Sequence, residues 1–70
     1  MKVYFSDANG NERFLATCKT DKQVYKVIND FCDERYYKIP YIRSWTKETD
    51  GKVRTWFDVG SWSEFFFVEG

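Results

Sequence analysis

The stretch that decides the fold of this chain is YIRSWTKETDGKVRTWFDV, residues 41–59, in which two alternating segments flank the turn signal Asp50-Gly51. Successive side chains of a β-strand point to opposite faces of the sheet, so residues two apart share a face. One face of the predicted hairpin therefore receives two tryptophans and three cations: Trp45, Trp56, Arg43, Lys47 and Arg54. The other face receives Ile42, Val53, Phe57 and Val59.

The loop of this hairpin can contain two residues, Asp50 and Gly51, or four, residues 48–51, without changing the faces. The two-residue loop places Trp45 opposite Trp56, whereas a loop of odd length would mix the faces. Since a small chain has a single core, one face carries it and the other meets water or a partner. We expect the tryptophan face to lie away from the core.

The length, aromatic content and net charge of the chain limit which kinds of protein it can be. The chain of 70 residues predicts one domain, residues 1–70, and a chain of this size buries only about 60% of its unfolded surface. Its 21% aromatic residues supply a core without disulfides or metal. The net charge is zero, which provides no field to attract nucleic acid or an anionic membrane, although residues 38–54 carry five cations against Glu48 and Asp50.

The cysteines predict no metal site and no cofactor. Cys18 and Cys32 are the only cysteines and the chain has no His, so the usual four-ligand zinc site cannot form. We expect both thiols to be reduced, small, buried side chains. No apolar run could act as a signal peptide or membrane span, so we expect a cytoplasmic protein without a membrane partner.

The segment before residue 41 predicts a hairpin and a helix. Strands at residues 2–6 and 12–19 flank a predicted turn over residues 7–11, which contains Asn9-Gly10, a strong hairpin signal. With those two residues as the loop, three pairs lie opposite each other: Phe5 with Phe14, Val3 with Ala16, and Tyr4 with Leu15. Thr20 then begins a helix, with Gln23 completing a capping box and Asp21 in the first turn.

One face of this helix carries an apolar stripe of Val24, Val27, Ile28 and Phe31, flanked by Cys32 and Arg35. Tyr25 lies on the predicted solvent side. The helix should end near Tyr36 or Tyr37, because Pro40 disfavours helical geometry at the residue before it. These three tyrosines form a second candidate group of exposed aromatic residues, with Tyr36 or Tyr37 closing the core as the alternative.

The run Phe65-Phe66-Phe67-Val68, after the break at Gly60-Ser61, predicts a last short strand. The expected fold is α+β: an antiparallel sheet of four or five strands with one helix packed on one face, in the order β-β-α-β-β-β. Strand order within the sheet is left open by the sequence.

The hairpin face supplies the sharpest candidate site for partner binding. Aromatic rings beside cations suit base stacking or a protein hot spot. The simpler alternative is a cross-strand pair that stiffens the hairpin beneath Arg and Lys stems. The candidate partner-binding residues are Tyr41, Arg43, Trp45, Lys47, Arg54, Trp56 and, on the helix, Tyr25.

A third candidate combines Ser61 and Ser63 with Asp58 and Glu64. A nucleophilic serine requires a positioned base, and this chain has no His. A Gly-Ser turn whose hydroxyls satisfy backbone donors is the simpler interpretation. Because no acid–base set converges, we expect no enzymatic activity.

The tail DVGSWSEFFF, residues 58–67, resembles the C-terminal D-x-G-S-x-S-E-F-F pattern of small uncharacterised proteins from phages and prophages of Gram-positive bacteria. This resemblance implies a mobile-element origin and brings no catalytic residues to carry over. It also implies a role that small phage proteins often have, the inhibition of bacterial host defence systems, including CRISPR nucleases.

Two function hypotheses follow. The first is a protein-binding module that inhibits a host bacterial protein by covering its surface, in the cytoplasm of that cell. The alternative is a single-stranded nucleic-acid module in which Tyr41, Trp45 and Trp56 stack bases while the cations Arg43, Lys47 and Arg54 neutralise phosphate. A homodimer built on the same face is compatible with the first hypothesis.

Overall fold

A computed structural model describes residues 1–35 and 38–70. The elements in chain order are β1 (Lys2–Ser6), β2 (Glu12–Thr17), α1 (Asp21–Glu34), β3 (Arg43–Thr49), β4 (Lys52–Asp58) and β5 (Phe65–Glu69). The strands form one five-stranded antiparallel sheet in the order β2-β1-β5-β4-β3. The expected α+β class and element order are confirmed, and the last strand takes the central position.

The core lies between α1 and one face of the sheet. Val24 and Ile28 of the predicted helical stripe are fully buried, together with Val3 and Phe66 from the central strands. The Phe31 ring packs 4.7 Å from Phe5 and 5.5 Å from Phe66, centroid to centroid. Both cysteines are free and buried, as expected for small core side chains.

The ends of α1 follow local sequence signals. The Thr20 hydroxyl accepts a hydrogen bond from the backbone N–H of Gln23, whose side chain in turn accepts from the N–H groups of Lys19 and Thr20. The predicted capping box is therefore confirmed. The helix ends at Glu34, and the interpretations placed on Tyr36 and Tyr37 lie outside the described residues. Within the described ranges no helix is long and apolar enough to span a membrane.

The β3–β4 hairpin has the predicted register with the two-residue loop. Asp50 and Gly51 both have positive φ, 53° and 76°, as a tight hairpin turn with matching twist requires. Trp45 lies opposite Trp56, and the faces are those expected from alternation. Val53 nevertheless remains 57% exposed, because the tip of this hairpin extends beyond the part of the sheet that α1 covers.

The register predicted for the β1–β2 hairpin is wrong beyond Val3, which does lie opposite Ala16. A bulge follows, so Tyr4 faces Phe14 and Phe5 faces Arg13 instead of the pairs expected. The Asp7 carboxylate accepts hydrogen bonds from the N–H groups of residues 9 and 11, which closes the predicted turn over residues 7–11, so Asn9 and Gly10 do not form a two-residue loop. The added loop residues and the bulge move Phe14 to the face away from α1.

Candidate functional site: an aromatic face and its groove

The sheet face opposite α1 carries at least one aromatic side chain from every strand. Pairing registers connect five of them in a single line across the sheet, Trp45 to Trp56, Trp56 to Phe67, Phe67 to Tyr4 and Tyr4 to Phe14. We call these five residues the aromatic row. The row exists because, on each strand, the aromatic residue at this position points to the same face of the sheet. For Phe14 this depends on the bulge in the β1–β2 pairing, which places it opposite Tyr4.

The centre of the aromatic row is sealed. Phe67 has no exposed surface although no helix covers this face. Tyr4 stacks on it at 4.9 Å with an interplanar angle of 11°, and Trp56 packs on its other side at 4.8 Å. The middle of the row is thus a second small apolar cluster, and half-buried Trp56 is part of it.

Arg54 completes the cover over Phe67. Its guanidinium carbon lies 4.4 Å from the ring centroid, within range of a cation–π interaction. The same guanidinium pairs with Glu12 at 3.1 Å and with Glu69 at 3.2 Å. The charge of Arg54 is therefore balanced within the fold, and the side chain is only 24% exposed.

The two ends of the row are open to solvent. Phe14 is 52% exposed at one end, and Trp45 is 42% exposed at the other. Trp45 meets the ring of Phe65 edge to face at 6.2 Å and borders a concave surface. We call this surface the aromatic groove; it is lined by Tyr41, Arg43, Trp45, Asp58, Gly60, Ser61, Trp62 and Phe65.

An ion pair forms the polar floor of the aromatic groove. The Arg43 guanidinium donates to the Asp58 carboxylate at 2.6 Å, and the backbone N–H of Gly60 donates to the other Asp58 oxygen at 2.9 Å. Asp58 is buried, and the hydrogen bond from Arg43, followed by that from Gly60, lowers its pKa below the ordinary value. Arg43 also lies 5.4 Å from the Tyr41 ring centroid, which positions that ring at the groove wall.

Trp62 is the most exposed aromatic side chain of the groove. The backbone on both sides of it is ordered by the Gly60 hydrogen bond and by the bond from the Glu64 N–H to the Ser61 hydroxyl at 3.2 Å. Trp62 itself is fully exposed. A hydrogen-bonded loop thus presents a large apolar ring to solvent beside the other aromatic residues of the groove.

The structure distributes the seven predicted partner-binding residues over four places, the fourth being that of Tyr25 on α1. Tyr41, Arg43 and Trp45 line the aromatic groove, while Arg54 and Trp56 lie within the packed row. Lys47 is exposed near the hairpin tip and, among the described residues, forms no ion pair. The seven residues therefore do not form one continuous surface.

Tyr25 lies apart from the others. It sits on α1, on the opposite side of the sheet, and its ring packs edge-on against Phe57 at 5.7 Å with 38% exposure. The prediction that Tyr25 lies on the solvent side is thus confirmed, although one edge of its ring contacts Phe57 of the core.

The third candidate group does not converge. The Ser61 hydroxyl accepts from the Glu64 backbone, as the simpler interpretation of a turn predicted, and the Glu64 carboxylate pairs with Arg35 at 3.4 Å. Sequence reasoning missed Trp62 and Phe65 as groove residues. The available signal for Trp62 was a tryptophan within Gly-Ser-Trp-Ser, a segment too polar and too rich in turn residues to bury it.

Comparisons of this chain with protein-family models, with curated proteins and with solved structures found no match. The function is therefore inferred from the geometry and charge of the aromatic groove.

Proposed function

We propose that this protein is a small phage-type binding module that inhibits a bacterial host defence protein by occluding part of its surface. The single observation that carries the proposal is the aromatic groove, which Tyr41, Trp45 and fully exposed Trp62 line together with the Arg43–Asp58 ion pair. Tryptophan, tyrosine and arginine are the residue types that dominate the energetics of protein interfaces.

The charges of the site favour a protein partner over nucleic acid. Nucleic-acid affinity depends largely on cations that are free to neutralise phosphate. Arg43 is paired with Asp58, and Arg54 with Glu12 and Glu69, so two of the three candidate cations already have carboxylate partners. The zero net charge of the chain supports the same choice.

The phage-like tail supplies the biological context of the proposal, and the groove gives it a physical site. Residues 58–65 of that tail contribute Asp58, Gly60, Ser61, Trp62 and Phe65 to the groove lining. Under this proposal the tail pattern encodes the turn that holds Asp58, and Trp62, the ring that contacts the partner, occupies an unspecified position within that pattern. The resemblance and the geometry thus share Asp58, Gly60, Ser61 and Phe65.

A site-specific photocrosslinker tests the partner class. We would place it at Ser63, beside Trp62, and as a matched control at Lys22, an exposed position on α1. In lysate of a Gram-positive host, the proposal expects one protein adduct from Ser63 that Lys22 does not give and that excess unlabelled protein removes. Recovery of nucleic acid from the Ser63 position, with binding to single strands that falls steeply with salt, would favour the alternative.

Inhibition is tested separately, with the captured host protein purified and its own activity measured. The wild-type chain should suppress that activity at stoichiometric concentration. The Trp62→Ala variant should need at least about tenfold more protein to suppress that activity equally, since interface hot spots of this residue type are worth about 2 kcal/mol or more. Binding without any loss of host activity would leave a binding module and contradict the inhibitor.

A further inference from the structure

Strand β3 is an edge of the sheet, and within residues 1–35 and 38–70 no strand pairs with its outer side. All of its residues, Arg43–Thr49, are exposed, and its pairing with β4 is regular. Natural edge strands are blunted by charged side chains, proline, bulges or a covering element, and of these β3 has charged side chains, Arg43, Lys47 and Glu48. The other edge, β2, pairs with its neighbour through a bulge, whereas β3 contains no proline and its hairpin tip extends beyond α1.

The hairpin geometry identifies the free backbone groups of β3. In a two-residue hairpin the residues that flank the loop, here Thr49 and Lys52, form a hydrogen-bonded pair, and such pairs alternate along the ladder. The odd-numbered residues of β3 therefore direct their N–H and C=O groups toward β4. Ser44, Thr46 and Glu48 direct theirs outward, toward the open edge.

We propose that the open edge of β3 pairs with β3 of a second copy of this chain, antiparallel and about a two-fold axis at Thr46. In this register each of the seven residues of β3 lies opposite a β3 residue of the second copy. It places Ser44 opposite Glu48 of the second copy, Trp45 opposite Lys47, and Arg43 opposite Thr49. Each Trp45 ring then has a cation beside it, and each outward N–H and C=O of β3 gains a backbone partner.

Charge excludes the neighbouring registers. An axis at Trp45 opposes Arg43 to Lys47, and an axis at Lys47 or Glu48 opposes two identical charges, which is destabilising in a cross-strand pair. An axis at Ser44 pairs only residues 43–45 of β3. The register centred on Thr46 is thus the one that uses the full strand without placing like charges opposite each other.

The proposed pairing joins two sheets into one and keeps both aromatic faces on the same side, because a two-fold axis perpendicular to the sheet does not exchange its faces. This proposal does not rest on the proposed function. It holds or fails for the isolated protein in buffer, whatever the partner of the groove.

Cysteine crosslinking tests the register. Thr46→Cys places two thiols at the axis, where opposed Cα atoms are about 5.5 Å apart, within disulfide range. Ser44→Cys is the matched control, because residue 44 lies on the same edge and the same face as residue 46. The two introduced thiols of the dimer would lie four residues apart, about 14 Å along the strand. Under mild oxidation Thr46→Cys should form at least about tenfold more covalent dimer than Ser44→Cys; equal yields would overturn the proposal.

Sedimentation equilibrium over a range of concentrations tests the dimer itself. Thr46→Pro removes an N–H that β4 does not use, so the monomer should fold while the dimer loses two hydrogen bonds at the axis and weakens by about tenfold or more. Thr46→Val, which keeps the backbone donor, should dimerise like the wild type. A wild-type chain that stays monomeric at every concentration overturns the proposal, and if the proline variant unfolds, the crosslinking result decides alone.

Discussion

The guanidinium of Arg54 lies 4.4 Å from the ring centroid of Phe67, and these two residues close the sheet face that α1 leaves open. Phe67 is fully buried there, beneath a charged side chain instead of a second helix. The carboxylates of Glu12 and Glu69 hold Arg54 in this position. A five-stranded sheet with one helix thus obtains a second apolar cluster from one cation, two acids and a stack of rings.

Replacement of Arg54 should therefore destabilise the fold. Arg54→Ala removes the cover of Phe67 and leaves two acids without their partner, so the free energy of unfolding should fall by about 1–2 kcal/mol. Urea denaturation measures this change. Lys47→Ala, a neighbouring cation on the same face, is the control and should stay within about 0.5 kcal/mol of the wild type; equal effects of the two variants would contradict the structural role of Arg54.

The stability of the protein should depend on pH through Asp58. Its pKa in the folded chain is lowered below the ordinary 3.8, first by the hydrogen bond from Arg43 and then by that from Gly60. A depressed folded pKa stabilises the native state above the unfolded value, and that contribution is lost as pH falls below 3.8 toward the folded pKa. Stability should therefore decrease with acidification in this window.

Asp58→Asn isolates this contribution. At neutral pH it should lower the free energy of unfolding by about 1–3 kcal/mol, because charge-assisted hydrogen bonds are replaced by weaker ones. The difference from the wild type should shrink as pH falls below 3.8. Asp7→Asn is the control for an exposed acid whose pKa is also lowered, chiefly by the backbone hydrogen bond from Asn11; a pH-independent difference for Asp58→Asn would refute the linkage.

The aromatic residues of the open face should separate into binding and structural groups. Trp62→Ala removes a fully exposed ring, so stability should change by less than about 0.5 kcal/mol while affinity for the protein partner falls at least about tenfold. Trp56→Ala should instead destabilise the fold by about 1–3 kcal/mol, because its ring packs on Phe67. Thermal denaturation and partner titration on both variants provide the comparison.

Trp45 and Trp56 were both predicted to bind the partner, but the structure gives the two residues different surroundings. Trp56 packs on Phe67 and supports the fold. Trp45 borders the groove and remains the binding candidate. A Trp56→Ala variant as stable as the wild type would contradict this division.

The capping box of α1 offers a local test. Thr20→Ala removes the hydroxyl that accepts the Gln23 N–H and should cost about 1 kcal/mol of unfolding free energy. Thr20→Ser keeps the acceptor and should remain near the wild type. Chemical denaturation of the three proteins measures the series, and equal losses for alanine and serine would show that the hydroxyl is not the cause.

Features that depend on interactions between residues close in sequence were predicted correctly from the sequence more often than features that depend on distant residues. Asp50-Gly51 determines the register of its hairpin by local turn geometry, and the capping box at Thr20 is equally local. The β1–β2 register failed because the Asp7 carboxylate organises a longer loop than Asn9-Gly10 indicates. Residue types alone do not reveal whether a side chain will reorganise a turn.

The structural role of Arg54 was out of reach for a different reason. Its contacts with Glu12, Phe67 and Glu69 join residues from three strands that meet only in the observed strand order. No alternation within one segment can indicate that order. The aromatic groove was predicted in part, since Tyr41, Arg43 and Trp45 belong to one predicted strand region, while Trp62 comes from a loop whose position required the central placement of β5.

That central placement has a consequence for biosynthesis. β5 leaves the ribosome after the other five described elements, yet it joins β1 to β4. Until it emerges from the exit tunnel, the nascent chain holds two separate hairpins and a helix without a common sheet. The protein must therefore complete its folding after residue 69 is exposed, and a message truncated before β5 would yield two unjoined halves.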